Sequence, residues 1–153
     1  MIKTARLNIY PLSDQEMETV IANEINPDLR AVYTQMLAGC LKYPEQRIWH
    51  AMWVLELNDG SGTVVGSLAF KGLNANGTVE IGYGIYPQYA GQGLMTEAVT
   101  AVVRWAAEQP GIAAIEAETE PDNVASQRVL EKAGFVPSGV FGSEGPRYVW
   151  IKH

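Results

Sequence analysis

The sequence predicts one α+β domain, a mixed and largely antiparallel sheet with about four helices around it. Three observations predict this. The chain has 153 residues, enough for one sizeable hydrophobic core and short for two, so residues 1–153 read as a single domain. Between Trp49 and Tyr86, short apolar runs alternate with turn-forming runs, the pattern of a meander. From Val79 to Thr119, a strand, a glycine-rich corner, an apolar helical repeat and another strand follow in order. The handedness of such units sets those two strands parallel.

An apolar fraction of 47% against 18% charged residues is that of an ordinary soluble globule and excludes a disordered chain. Eleven Lys and Arg against 17 Asp and Glu leave a net charge of −6. That balance disfavours nucleic acid and anionic membrane surfaces as partners and favours cationic or amine-bearing ones. Cys40 is the only cysteine, so no intrachain disulfide can form. The opening MIKTARLNIY lacks the apolar core of a signal peptide, and the apolar stretches fall short of the roughly 20 residues of a membrane span. A cytoplasmic protein, monomer or homodimer, is expected.

Leu7 to Tyr10 alternates as a strand and stops at Pro11. Ser13 and Glu16 have capping-box spacing, which starts a short helix running to about Asn23. A second helix opens at Asn26-Pro27-Asp28, where a capping side chain, a proline that needs no donor and an acid at the positive helix end coincide. Leu29, Val32, Met36, Leu37 and Cys40 fall on one face of it. Strands are expected at Trp49 to Leu57, Thr63 to Phe70 and Thr78 to Tyr86, joined by the turns Asn58 to Gly62 and Asn74 to Gly77. Leu94, Ala98, Ala101, Val102 and Trp105 recur at helical spacing as far as about Glu108, before Gln109-Pro110-Gly111. A strand over Ile112 to Thr119, a helix from Asn123 ending at Gly134, and a hairpin of Val136 to Phe141 with Tyr148 to Lys152 complete the chain.

The stretch Val79 to Thr96 carries the chemistry. Glycines opening onto a helix let an anion approach unpaired backbone N–H groups at the positive helix end, so the corner suits a phosphorylated ligand. Gly91-Gln92-Gly93 is not a Walker loop, because no Gly-Lys-Ser/Thr follows. A dinucleotide fingerprint needs Gly or Ala where Thr96 stands, although Glu116 and Glu118 lie about 20 residues on, at ribose-binding distance.

Pro87-Gln88-Tyr89-Ala90-Gly91-Gln92-Gly93-Leu94-Met95-Thr96-Glu97-Ala98, followed by Asn123-x-x-Ser126 and Lys132-x-Gly134-Phe135, resembles the GCN5-related N-acetyltransferase (GNAT) superfamily. The likeness is strongest to the ribosomal-protein N-terminal (RimJ/RimL-like) branch and covers nearly the whole chain. It implies the acyl-CoA N-acyltransferase fold, with acetyl-CoA in a wedge between two splayed strands and an amine, on a small molecule or a peptide N-terminus, as acceptor. It implies that backbone N–H groups of Gly91, Gln92, Gly93, Leu94, Met95 and Thr96 take the pyrophosphate. Ile85 would pair with pantetheine, and Asn123 and Ser126 would lie near the sulfur. Glu80 becomes the candidate base, Glu118 the second candidate, and Ser126 the candidate acid.

Two features depart from the family. The Q/R-x-x-G-x-G/A formula fits letter for letter over Gln88 to Gly93, but the spacing to Thr96-Glu97-Ala98 prefers Ala90 to Met95, and the helix spacing decides which N–H groups face the phosphate. The tyrosine that many members use as general acid is replaced by Leu130. Ser126, a water, or a thiol of pKa ~8.5 leaving as its anion fills the role. A catalytically silent acyl-CoA sensor is the competing class.

Plainer readings stand beside these. Glu80 and Glu118 also fit exposed strand carboxylates, Ser126 a solvated hydroxyl and Asn123 a helix cap. His50, His153 and Cys40 assemble no metal site, and His153 reads as a tag remnant. Trp49, Trp53, Tyr33 and Tyr43 suit packing better than ammonium binding.

Overall fold

The computed structural model describes residues 1–151. Its strands are β1 (Ile2–Lys3), β2 (Leu7–Pro11), β3 (Met52–Leu57), β4 (Val64–Leu73), β5 (Thr78–Ile85), β6 (Ala114–Glu118), β7 (Val136–Phe141) and β8 (Pro146–Ile151). Its helices are α1 (Asp14–Asn23), α2 (Pro27–Lys42), α3 (Leu94–Ala107) and α4 (Val124–Lys132), with 3₁₀ turns at Pro44–Trp49 and Pro87–Tyr89. One sheet holds the strands in the order β1, β2, β3, β4, β5, β6, β8, β7. Among the described residues, only β5 and β6 are parallel neighbours; the other pairs are antiparallel. This is the expected α+β architecture.

Local chemistry explains the helix starts. Ser13 and Glu16 close a reciprocal capping box on α1, and Asn26 caps α2 by accepting from the N–H groups of Asp28 and Leu29. The main core lies between the sheet and α3, where Leu94, Ala98, Val99, Val102, Val103 and Ala106 meet Leu55, Leu68, Val79, Ile81 and Ile115. A smaller cluster of Leu12, Met17, Cys40, Ala51 and Val54 sits under α1 and α2 on the opposite face. Strand alternation therefore decides the site: Val79 and Ile81 face α3, and Glu80 between them faces the other way.

Three expectations change. Trp49 precedes β3 rather than opening it, because Pro44 begins a 3₁₀ turn. The indole of Trp53 donates to the Ile48 carbonyl at 3.0 Å, tying that turn to the sheet. Trp49, Trp53, Phe70 and Trp105 form an aromatic cluster with centroids 4.9 Å apart for Trp49 and Phe70 and 5.0 Å for Trp53 and Trp105, so both tryptophans are core residues. On α2 the apolar face is buried only at its C-terminal half: Cys40 is covered, whereas Leu29 and Val32 are 42% and 49% exposed. A further short strand, β1, pairs with β2. Lys152 and His153 lie outside the described residues.

Candidate active site

β5 and β6 pair at Thr78–Ala114, Val79–Ile115 and Glu80–Glu116, and the pairing ends there although both strands continue. Beyond Glu80 the strands part. Ile85 still pairs with Gly66 of β4, so β5 stays fixed to the sheet on one side and open on the other. That split leads into a cleft of about 510 Å³.

The glycine corner forms one wall. Gly91 and Gly93 both adopt φ of +79°, in the left-handed region that side chains disfavour, and Gly93 serves as the N-cap of α3. No side chain caps α3, which leaves its first N–H groups to whatever enters the cleft. From behind, Arg6 donates through Nη1 to the Gln92 carbonyl at 2.9 Å and through Nε to Glu97 at 2.8 Å, which fixes the loop against the first turn of α3.

One face of α4, from Asn123 to Lys132, forms the other wall. Asn123 caps this helix, its side chain accepting from the Ser126 N–H at 3.1 Å. Arg128 and Lys132 face the same cleft, and among the described residues neither makes a salt bridge. The cleft thus sets a positive helix end opposite two cations. Phosphates fit such a cradle.

Of the residues singled out from sequence, Ile85, Gly91, Gly93, Leu94, Met95, Thr96, Asn123 and Ser126 line this one cleft. Gln92 lines a neighbouring depression with Arg6 and Gln88 instead. Glu80 and Glu118 lie on the opposite face of the sheet, with Glu116 and Arg147. Leu130 is fully buried in the main core.

Arg147 organises that opposite face. Its Nη1 donates to Glu118 at 2.7 Å, and its Nη2 donates to Glu80 at 2.6 Å and to Glu116 at 3.2 Å. Lys71 meets the other Glu80 oxygen at 2.6 Å. Burial pushes the Glu80 carboxyl up, but hydrogen bonds from Lys71 and Arg147 outweigh it and hold the group below its ordinary value. Glu118 is also held low, by the Glu144 N–H at 2.8 Å and by Arg147. The three acids raise the Arg147 pKa further, so the guanidinium stays charged.

Next to Glu80 on this face, β5 presents Gly82 and Gly84. A Cβ on Gly84 would meet nothing within 4 Å, which leaves a bare strip of strand. A second cavity, of about 470 Å³, opens between this face and α1 and α2, lined by Tyr10, Tyr33 and Tyr86 and by Glu16 and Glu24. Burial raises the Tyr33 phenol, with the Glu24 carboxylate adding to it. His50 stacks on Tyr43 at 5.2 Å, and burial lowers its pKa, which favours the neutral imidazole. Among the described residues no three His, Cys, Asp or Glu side chains are grouped to hold a metal ion, and no helix is long and apolar enough to cross a membrane.

Sequence reasoning missed Arg6, Tyr83, Arg128 and Arg147, and took Lys132 only as part of the motif that ends its helix rather than as a cleft residue. The two α4 cations had a signal, since four residues apart on a helix places them on one face. Tyr83 had one too: it shares the Val79-Ile81 parity that points toward α3 and α4.

A family model described as an acetyltransferase (GNAT) domain matches residues 6–136. The uncharacterized N-acetyltransferase YoaA of Bacillus subtilis (strain 168) is 28% identical over 92% of this chain and 85% of its own length. Among solved structures, RimL, the ribosomal L7/L12 alpha-N-protein acetyltransferase in complex with coenzyme A, superposes with a TM-score of 0.74 at 16% identity, covering 97% of this chain and 95% of the other. AAC(6')-Ib in complex with paromomycin and acetyl-CoA does so with a TM-score of 0.68 at 18% identity, over 95% and 93%. Both superpositions show a shared fold.

Proposed function

The chain belongs to the GNAT acetyltransferase family and is an N-acetyltransferase, and from that premise we propose that it moves acetyl from acetyl-CoA directly to a primary amine. The observation that carries this reading is the split of β5 from β6 beyond Glu80, with the uncapped α3 terminus and the Asn123–Ser126 turn facing one cleft beyond it.

In this reading the N–H groups of Gly91 to Thr96, with Arg128 and Lys132 opposite, hold the pyrophosphate. Gln92, which lines the neighbouring depression and not this cleft, contributes its main chain only. The main chain of Ile85 holds the pantetheine, an N–H near Ile85 stabilises the oxyanion, and Asn123 and Ser126 stand near the sulfur. Bound acetyl-CoA supplies a thioester whose acetyl carbon is open to attack. Titration of the purified protein with coenzyme A tests the cradle independently of turnover.

The acceptor arrives over the bare strip of Gly82 and Gly84, from the cavity under α1 and α2. Glu80 stands at the end of that strip and takes the amine proton, directly or through water. Glu118 is the weaker candidate, because its oxygens are bound to Arg147 and to the Glu144 N–H. A carboxylate held below its ordinary pKa draws little proton from a lysine-type amine of pKa ~10.4, whereas an α-amine of ~7.7–8.0 arrives partly neutral at physiological pH. The acceptors favoured are therefore α-amines, on a small molecule or a peptide N-terminus. The name of RimL, an alpha-N-protein acetyltransferase of the same fold, agrees with this choice.

A thiol-release screen across α-amine peptides, amino acids, polyamines and aminoglycosides is the test. Turnover with α-amines is the expected result. Tight coenzyme A binding with no release for any amine would instead support a silent sensor.

A further inference from the structure

The hydroxyl of Tyr83 lies 2.9 Å from Oγ of Ser126, a pair in which either oxygen can donate, and 3.3 Å from the Ser126 carbonyl, the longer alternative for the one phenolic hydrogen. The two residues come from opposite walls of the cleft, β5 and α4, and both line it. Ser126 is fixed from its own side by the Asn123 cap. A serine hydroxyl has one hydrogen and two lone pairs. When Tyr83 donates to Oγ, the serine hydrogen is free to turn into the cleft.

Resting on the acyl-transfer reading above, we propose that Tyr83 is a positioning residue that aims the Ser126 hydroxyl at the departing sulfur and replenishes its proton. The helix position where many relatives place a tyrosine is the buried Leu130, and a phenol reaches the cleft from the strand instead. As the nitrogen–carbon bond forms and the carbon–sulfur bond breaks, the electron pair stays on sulfur. Ser126 passes its proton to the sulfur, Tyr83 passes its own to Ser126, and the tyrosinate regains one from water. The amine nitrogen releases one proton through Glu80 to water, so the count closes.

Burial raises the Tyr83 phenol above its ordinary value, Tyr148 of β8 adds to this, and the Ser126 hydrogen bond opposes it. Tyr83 therefore keeps its proton at neutral pH. The other titratable groups on the cleft around it are Tyr89, Arg128 and Lys132.

The experiment compares Tyr83→Phe, Ser126→Ala and the double variant for kcat, KM, coenzyme A Kd and Tm, with a fluorinated tyrosine at position 83 as a fourth protein. Tyr83→Phe should lower kcat at least tenfold while Kd for coenzyme A stays within twofold, and in the Ser126→Ala background it should add less than twofold. The fluorinated phenol, being more acidic, should move the alkaline limb of kcat to lower pH. An unchanged kcat in Tyr83→Phe, independent losses that multiply in the double variant, or a loss confined to coenzyme A affinity overturns the proposal. Wild-type protein that binds coenzyme A but releases thiol with none of the amines overturns the acyl-transfer reading and this one with it. Wild-type turnover beside an unimpaired Tyr83→Phe overturns only this one.

Discussion

Arg147 on β8 reaches across β6 to place Nη2 2.6 Å from the carboxylate of Glu80 on β5. The contact ties together three strands at the level where β5 and β6 part. It also gathers Glu116 and Glu118, so a single guanidinium pairs with three acids on one sheet face, and Lys71 adds a second positive charge at Glu80.

Replacing Arg147 by Met should therefore destabilise the fold by about 1–3 kcal/mol at pH 7, below the cost of breaking a fully buried pair because the cluster is partly exposed. The sign with pH follows from the carboxyls. Glu80 and Glu118 are held below their ordinary values, so their pairing stabilises above the unfolded carboxyl range of ~4.3 and is lost as pH falls through the folded values. Denaturation curves should show the deficit of Arg147→Met shrinking toward pH 3. A deficit that grows on acidification would contradict the pairing.

Glu80→Gln tests the base. Because Glu80 is already ionised well below neutrality, its removal should lower kcat about 10²-fold at every pH from 6 to 9. The rising limb of kcat/KM should stay at the ionisation of the acceptor amine. A limb that moves with the substitution would mean that Glu80 itself titrates there.

Gly93→Ala places a side chain at φ +79°, a conformation that costs a non-glycine residue about 1–2 kcal/mol. Relaxation of that strain re-aims the first N–H groups of α3. Calorimetry should find weaker coenzyme A binding as well as a lower Tm, and a lost Tm with unchanged affinity would remove the helix end from the cradle.

The parts legible in the sequence are those set by local chemistry. The Ser13–Glu16 box, the Asn26-Pro27 start, the glycine corner and the Asn123 cap depend on residues within four positions of one another, and each lies where its spacing puts it. What stayed hidden depends on register between distant strands. Arg147 is 67 residues from Glu80, and only the pairing of β6 with β5 on one side and β8 on the other makes them neighbours. Gly142 shows the same limit: it reads as a turn residue, yet a Cβ there would collide with the Glu118 carboxylate. The exposed N-terminal half of α2 misled for a related reason, since helical periodicity reports a face and not whether the sheet extends beneath it.

Leu130→Tyr separates motif from environment. Copying the family's tyrosine into this position should not restore an acid, because the side chain is enclosed by the main core rather than open to the cleft. Overpacking at such a site costs about 1–3 kcal/mol. Thermal melts should show the loss, and kcat measured on the folded fraction should not rise. A faster enzyme would mean that position 130 reaches the sulfur.

Thr119, just past the end of β6, carries a buried hydroxyl with no hydrogen-bond partner among the described residues, although its N–H donates to the Pro146 carbonyl at 3.2 Å. A buried polar atom left unpaired costs roughly 1–3 kcal/mol, and replacing it by an apolar group of the same shape returns part of that cost. Thr119→Val keeps the backbone bond and the volume while deleting the orphan. Without coenzyme A, its urea midpoint should equal or exceed that of wild type, by up to about 1 kcal/mol in stability. A variant less stable by more than ~0.5 kcal/mol would show that the hydroxyl is paired in solution, since a surface-neutral change stays within that range.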